Sequence, residues 1–152
     1  MRLSPHFSLH EMCRSQLASR LAIDNRPDAA AVSCMRVLCT QVLEPIRAHV
    51  KRPFSPSSGF RCRALNRALG SQDTSQHCLG QAVDVDILDL GRQDLAQWIV
   101  ASLAFDQLII EYPQADNVAA GWLHISFVTG GNRNETLTKT PAGYHRGFPA
   151  FW

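Results

Sequence analysis

The chain has 152 residues, 45% of them apolar and 18% charged, with a formal net charge of +2. That is enough for one domain with a real core, and the composition is that of an ordinary soluble globular protein. The charge is too small to argue for nucleic acid, and five cysteines without a C-x-x-C pair suggest neither a disulfide scaffold nor a thiolate metal site.

Arg2 is not followed by an apolar signal-peptide core, and the apolar runs fall short of a membrane span. The chain is therefore expected to be made in the cytosol, without membrane insertion. Ser8-Leu9-His10-Glu11 fits a capping box that opens a helix reaching about Ser19. Asp24-Asn25-Arg26-Pro27 reads as a turn, with Pro27 near the start of the next helix. From Asp28 to about Val50, the residues Val32, Met35, Leu38, Cys39, Val42, Leu43 and Ile46 recur at helical spacing as a core stripe. Pro45 should kink this helix or mark its last turns.

Two prolines between Arg52 and Gly59 make that stretch an extended lead-in or an edge strand. A short helix from Cys62 to Leu69 follows, with Gly70 suited to its end. Residues 70–80 form a loop. Gln81 to Leu88 alternates as a strand, with Val83, Val85 and Ile87 on one face and Ala82, Asp84 and Asp86 on the other. Gly91 to Leu103 is a helix burying Leu95, Trp98, Ile99 and Leu103. Phe105 to Glu111 and Gly121 to Val128 are strands that pair as a hairpin, bringing Glu111 near Trp122 and His124. Residues 129–152 show no period and are expected as an irregular tail anchored by Tyr144, His145, Phe148, Phe151 and Trp152. One domain spanning 1–152, of α+β class with a small antiparallel sheet against N-terminal helices, is the expected architecture.

The chemistry concentrates in Ser75-Gln76-His77-Cys78-Leu79-Gly80-Gln81-Ala82-Val83-Asp84, with His124 in Trp122-Leu123-His124-Ile125-Ser126. Two imidazoles and a carboxylate suit a catalytic Zn²⁺ that keeps one position open. Residue types alone would leave His77 an ordinary histidine and Asp84 a solvated strand residue. Their setting, S-x-H-x-x-G-x-A-x-D followed by W-x-H, resembles the signature of the M15 family of zinc D-Ala-D-Ala carboxypeptidases and peptidoglycan endopeptidases. The segment Ser58-Gly59-Phe60-Arg61 resembles another of the family's segments, and the opening His6-Phe7-Ser8-Leu9-His10-Glu11 is similar to that of its short, phage-type members.

The resemblance implies one zinc ion held by His77, Asp84 and His124, a hedgehog-like zinc peptidase fold, and stem peptides of peptidoglycan as substrate. It implies that Arg61 binds substrate or stabilises a developing oxyanion. Ser75, Gln107 and Trp122 are further candidates for the substrate cleft. The chain departs from the family where many members carry an acid/base residue shortly before the last ligand histidine. Here those positions are Gly121, Trp122 and Leu123. Glu111 is the best replacement, with Asp116 an outside candidate. A monomer is expected, reaching the wall through lysis, a holin or a phage particle. The competing expectation is an inactive zinc-bearing module with a structural or wall-binding role.

Overall fold

A computed structural model describes residues 1–87 and 90–152. The chain begins with α1 (Leu9–Cys13), whose capping box is complete: Ser8 accepts from the Glu11 backbone and Glu11 reaches back to the Ser8 N–H. The helix expected to run to Ser19 breaks at Arg14. Ser15 caps a second short helix, α2 (Gln16–Arg20), by accepting from the Ala18 N–H. Asp28 caps α3 (Ala29–Leu38) through the Ala31 N–H at 2.8 Å.

The long helix then widens into a π-helical turn (Cys39–Leu43) before α4 (Glu44–Val50). Pro45 accounts for this, because its ring excludes the ordinary bond to the fourth residue before it. The Glu44 N–H reaches Cys39 O instead, a five-residue step. On length and composition the run Ala29–Val50 could also cross a membrane or act as a signal sequence. Here its residues Met35, Leu38, Val42, Leu43 and Ile46 are fully buried in the core.

After α5 (Arg63–Ala68) comes a 3₁₀ turn (Gln76–Leu79), then β1 (Ala82–Val85), α6 (Arg92–Ser102), β2 (Gln107–Glu111), β3 (Trp122–Ser126), β4 (Glu135–Thr140) and β5 (Gly143–Arg146). The strand expected over 81–88 is the shorter β1, and its far end at Leu88 lies outside the described residues. The five strands lie in the order β1-β3-β2-β4-β5. The hairpin of β2 and β3 is antiparallel as expected, with Glu111 opposite Trp122.

Two expectations fail. The sheet is mixed, because β4 pairs parallel with β2. The segment 129–152 is also not irregular throughout, since it supplies β4 and β5. Asn134 starts β4 by exchanging bonds with Phe105: its N–H donates to Phe105 O at 2.9 Å, and its Oδ1 accepts from Phe105 N at 3.1 Å. Phe148 and Trp152 then pack on the core, whereas Tyr144 and Phe151 remain exposed.

One face of the sheet carries Val83, Val85, Leu108, Ile110, Leu123 and Ile125. All are buried with Phe7, Met12, Met35 and Leu38 in a single apolar cluster. Period-two alternation sends their neighbours Asp84 and His124 to the opposite face, where the polar chemistry lies.

Candidate metal centre

Asp84 and His124 are direct cross-strand partners on β1 and β3. His77 comes to them from the 3₁₀ turn that immediately precedes β1. His124 Nδ1 stands 3.1 Å from Asp84 Oδ1, His77 Nε2 stands 3.2 Å from the same oxygen, and the two ring nitrogens are 3.2 Å apart. Donors bound to one tetrahedral zinc lie about 3.3 Å from each other. The three atoms therefore already have the spacing of ligands on a single ion, and all three side chains are buried. Two nitrogens and one carboxylate oxygen, with no thiolate, suit zinc as a donor set.

The atoms behind the donors fix their roles. His77 Nδ1 donates to Gly59 O at 2.7 Å, which leaves the Nε2 lone pair facing the centre. Gly59 can place its carbonyl there because it has no side chain: a Cβ would meet Met12 O at 2.4 Å. Gly80 ends the turn in a left-handed conformation (φ +68°), and a Cβ there would lie 2.5 Å from Ala31 O. This is the close backbone approach expected of a small residue beside the ligands.

Asp84 is gripped on every side. Its N–H donates to Ser58 O at 2.8 Å and its carbonyl accepts from Ser57 N at 2.9 Å. Arg61 Nη2 donates to its Oδ2 at 2.5 Å, while Arg61 Nε donates to Ser58 Oγ at 2.9 Å. One carboxylate oxygen is thus held by Arg61 and the other is turned to the imidazoles. Burial works against the charge of Asp84, but the two imidazoles outweigh it and the carboxyl is held well below the usual range. Burial pushes the His77 imidazole down, toward the neutral form that a ligand needs.

The other candidates are placed less directly. Glu111 is buried and shares the sheet face of His124, one pair further along the hairpin. Diagonal neighbours of this kind stand about 7–8 Å apart, within reach of a long side chain. Its carboxylate accepts from Lys139 Nζ at 3.0 Å and makes no hydrogen bond to the three donors among the described residues. Burial opposes the charge on Lys139, but the bond to Glu111 outweighs it and raises the lysine pKa. Ser75 caps the 3₁₀ turn by accepting from His77 N. Gln107 donates to Glu135 Oε2 at 2.7 Å. Trp122 packs against Tyr112, with ring centroids 5.5 Å apart. Asp86 pairs with Arg92 and not with a ligand histidine.

Three contributors were not legible beforehand: Ser58, the Gly59 carbonyl, and Lys139. The Gly59 carbonyl and the Ser58 carbonyl are backbone groups that any residue possesses, and Ser58 adds its hydroxyl as an acceptor for Arg61. Lys139 lay in a stretch without a readable period.

The sequence profile of the peptidase M15 family matches residues 5–125, a span that holds all three donors. The chain belongs to the peptidase M15 family. No curated protein matches it. In this M15 chain the matched span ends just after His124, so β4, β5 and Lys139 lie outside it.

Proposed function

We propose that this M15 chain is a zinc-dependent peptidase that hydrolyses peptide bonds in peptidoglycan stem peptides, as a D-Ala-D-Ala carboxypeptidase or a cell-wall endopeptidase of the short phage-type group. The observation that carries the reading is the buried His77–Asp84–His124 triangle, oriented from behind by Gly59 O and Arg61. Bound there, zinc would activate a water and polarise a scissile carbonyl. The chain's own residues do the rest. Asp84, neutralised on its outer oxygen by Arg61, holds its inner oxygen toward the centre. His77 offers Nε2 because its other nitrogen is committed to a carbonyl. Glu111 takes a proton from the attacking water and returns it to the leaving amine, and Lys139 holds its carboxylate in position on the sheet face. The protein acts as a monomer and reaches the wall through lysis, a holin or a phage particle.

A second reading has its own support. Gly121, Trp122 and Leu123 cannot transfer a proton, and Glu111 is already engaged by Lys139. An inactive, zinc-bearing structural or wall-binding module would look the same. The test is incubation of the zinc-loaded chain with purified peptidoglycan, following new amines and free D-alanine. Chelator-sensitive cleavage that drops at least about 100-fold in Glu111→Gln supports the peptidase and its base. Stoichiometric zinc binding with no cleavage of any wall preparation sinks it in favour of the module.

A further inference from the structure

A cleft of about 480 Å³ is joined to the metal centre through Arg61, which lines it and grips Asp84. Its lining includes Arg14, Ser15, Ser58 and Arg61 over the apolar side chains of Leu65 and Leu69, with no aspartate or glutamate among the described residues. The cleft therefore holds two guanidinium groups, one of which, Arg61, already has its counter-charge in Asp84. The two arginines in it are not equivalent. Arg61 is committed, through Nε to Ser58 and through Nη2 to Asp84, and is largely buried. Arg14 is exposed and forms no ion pair among the described residues.

Arg14 is nevertheless not loosely placed. It occupies the break between α1 and α2, with the backbone just before it tied to the segment that carries Arg61. Phe60 N donates to Met12 O at 2.7 Å. The Asn25 side chain donates to Cys13 O at 2.8 Å and to Phe60 O at 3.0 Å, and accepts from Cys62 N at 2.7 Å. Four hydrogen bonds thus hold the approach to Arg14 against both flanks of Arg61. Ser15 uses its oxygen as a helix cap, which leaves its O–H proton free to donate into the cleft.

We propose that Arg14, with the Ser15 hydroxyl beside it, recognises a carboxylate of the peptide substrate and thereby favours peptides that present that carboxylate to the cleft. The inference rests on the peptidase reading for the word substrate, but the binding itself does not require turnover. A guanidinium offers the fork that a carboxylate matches, and Arg61 has already spent that capacity on Asp84.

The test uses the full chain in chelator, so that nothing is cleaved, with affinities read by calorimetry. The probes are a synthetic stem pentapeptide L-Ala-γ-D-Glu-L-Lys-D-Ala-D-Ala, its C-terminal carboxamide, and the analogue carrying D-isoglutamine at the second position. Wild type should lose about tenfold in affinity for one of the two amidated peptides. That peptide identifies which carboxylate is read. Arg14→Gln should bind the parent about tenfold more weakly and be indifferent to the same amidation, while Arg14→Lys should recover part of the discrimination. Equal weakening of all three peptides by Arg14→Gln, or no weakening, overturns the proposal. Cleavage by the zinc-loaded chain is followed separately. If no peptide is cleaved, the peptidase reading falls while the binding result stands or falls by itself.

Discussion

Gly59 shows how much of the centre depends on a residue with no side chain. Its carbonyl sets the tautomer of His77, and its α-carbon sits against Met12 O, where a Cβ would come within 2.4 Å. Backbone atoms cannot step aside as the end of a flexible side chain can, so even alanine must displace either the Gly59 segment or α1. Gly59→Ala should therefore cost about 1–3 kcal/mol of stability, the usual range for overpacking. It should also weaken zinc binding about 10- to 100-fold, as loss of a partner behind a ligand histidine does. A denaturant melt and a competitive zinc titration read the two effects. A variant that melts like wild type and binds zinc as tightly would show that the Gly59 carbonyl does not orient His77. The donors themselves were legible because a side chain that ligates must be a particular residue type at a particular spacing. The Gly59 carbonyl was not, since every residue has one.

At the scale of elements, the turn that carries His77 is tied to the start of the central strand by a buried carboxylate. Asp106 precedes β2. Its Oδ2 accepts from Gln76 Nε2 at 2.8 Å, and it takes bonds from Arg133 Nε at 2.8 Å and Nη2 at 2.5 Å. One side chain thereby joins the His77 turn, the start of β2 and the approach to β4. The Arg133 bonds, reinforced by Gln76, outweigh burial and hold the Asp106 carboxyl below the usual carboxylate range. The folded state then binds this proton more weakly than the unfolded chain does. The resulting stability is fully present above the ordinary value of 3.8 and is lost as pH falls through the lower folded value. Asp106→Asn should be less stable than wild type by about 1–3 kcal/mol near neutral pH, with the gap shrinking as both are acidified below about pH 4. Urea melts at pH 7, 5 and 3 measure it. A gap that stays constant down to pH 3 would mean that the Asp106 charge contributes nothing.

Strand pairing divides along the same line of local against distant information. The hairpin of β2 and β3 was legible because both strands are strongly apolar and follow one another in sequence. The parallel pairing of β4 with β2 was not. Glu135-Thr136-Leu137-Thr138-Lys139-Thr140 carries one buried aliphatic side chain, Leu137. Its partner strand is chosen by a connection that passes over β2, not by anything within the segment. Pro45 was read correctly as a disturbance, but the widened turn that absorbs it depends on neighbours packed around the helix.

For the molecule as a whole, the metal centre joins residues forty or more positions apart in sequence, His77 and Asp84 on one side and His124 on the other. His77, Asp84 and His124 bring the turn before β1 together with the two strands β1 and β3. The buried carboxylate is balanced by Arg61 at its outer oxygen and faces two imidazoles with its inner one. An ion accepted by all three donors binds the folded chain and has no equivalent site in the unfolded one, so binding free energy becomes folding free energy. At free zinc about a hundredfold above its Kd, the native state gains about 2.7 kcal/mol. For a chain of this size each kcal/mol moves Tm by about 2–4 °C, so zinc should raise Tm by about 5–10 °C and chelator should reverse the rise. Asp84→Asn and His124→Ala each remove one donor and should abolish most of the zinc-dependent shift, whatever they do to the metal-free Tm. Glu111→Gln should retain it, because Glu111 makes no bond to the donors and is tied to Lys139. Scanning calorimetry of the four proteins with and without zinc separates these cases. A full shift surviving in both donor variants would place the bound zinc somewhere other than the His77–Asp84–His124 triangle. Loss of the shift in Glu111→Gln would make Glu111 a ligand and not a base.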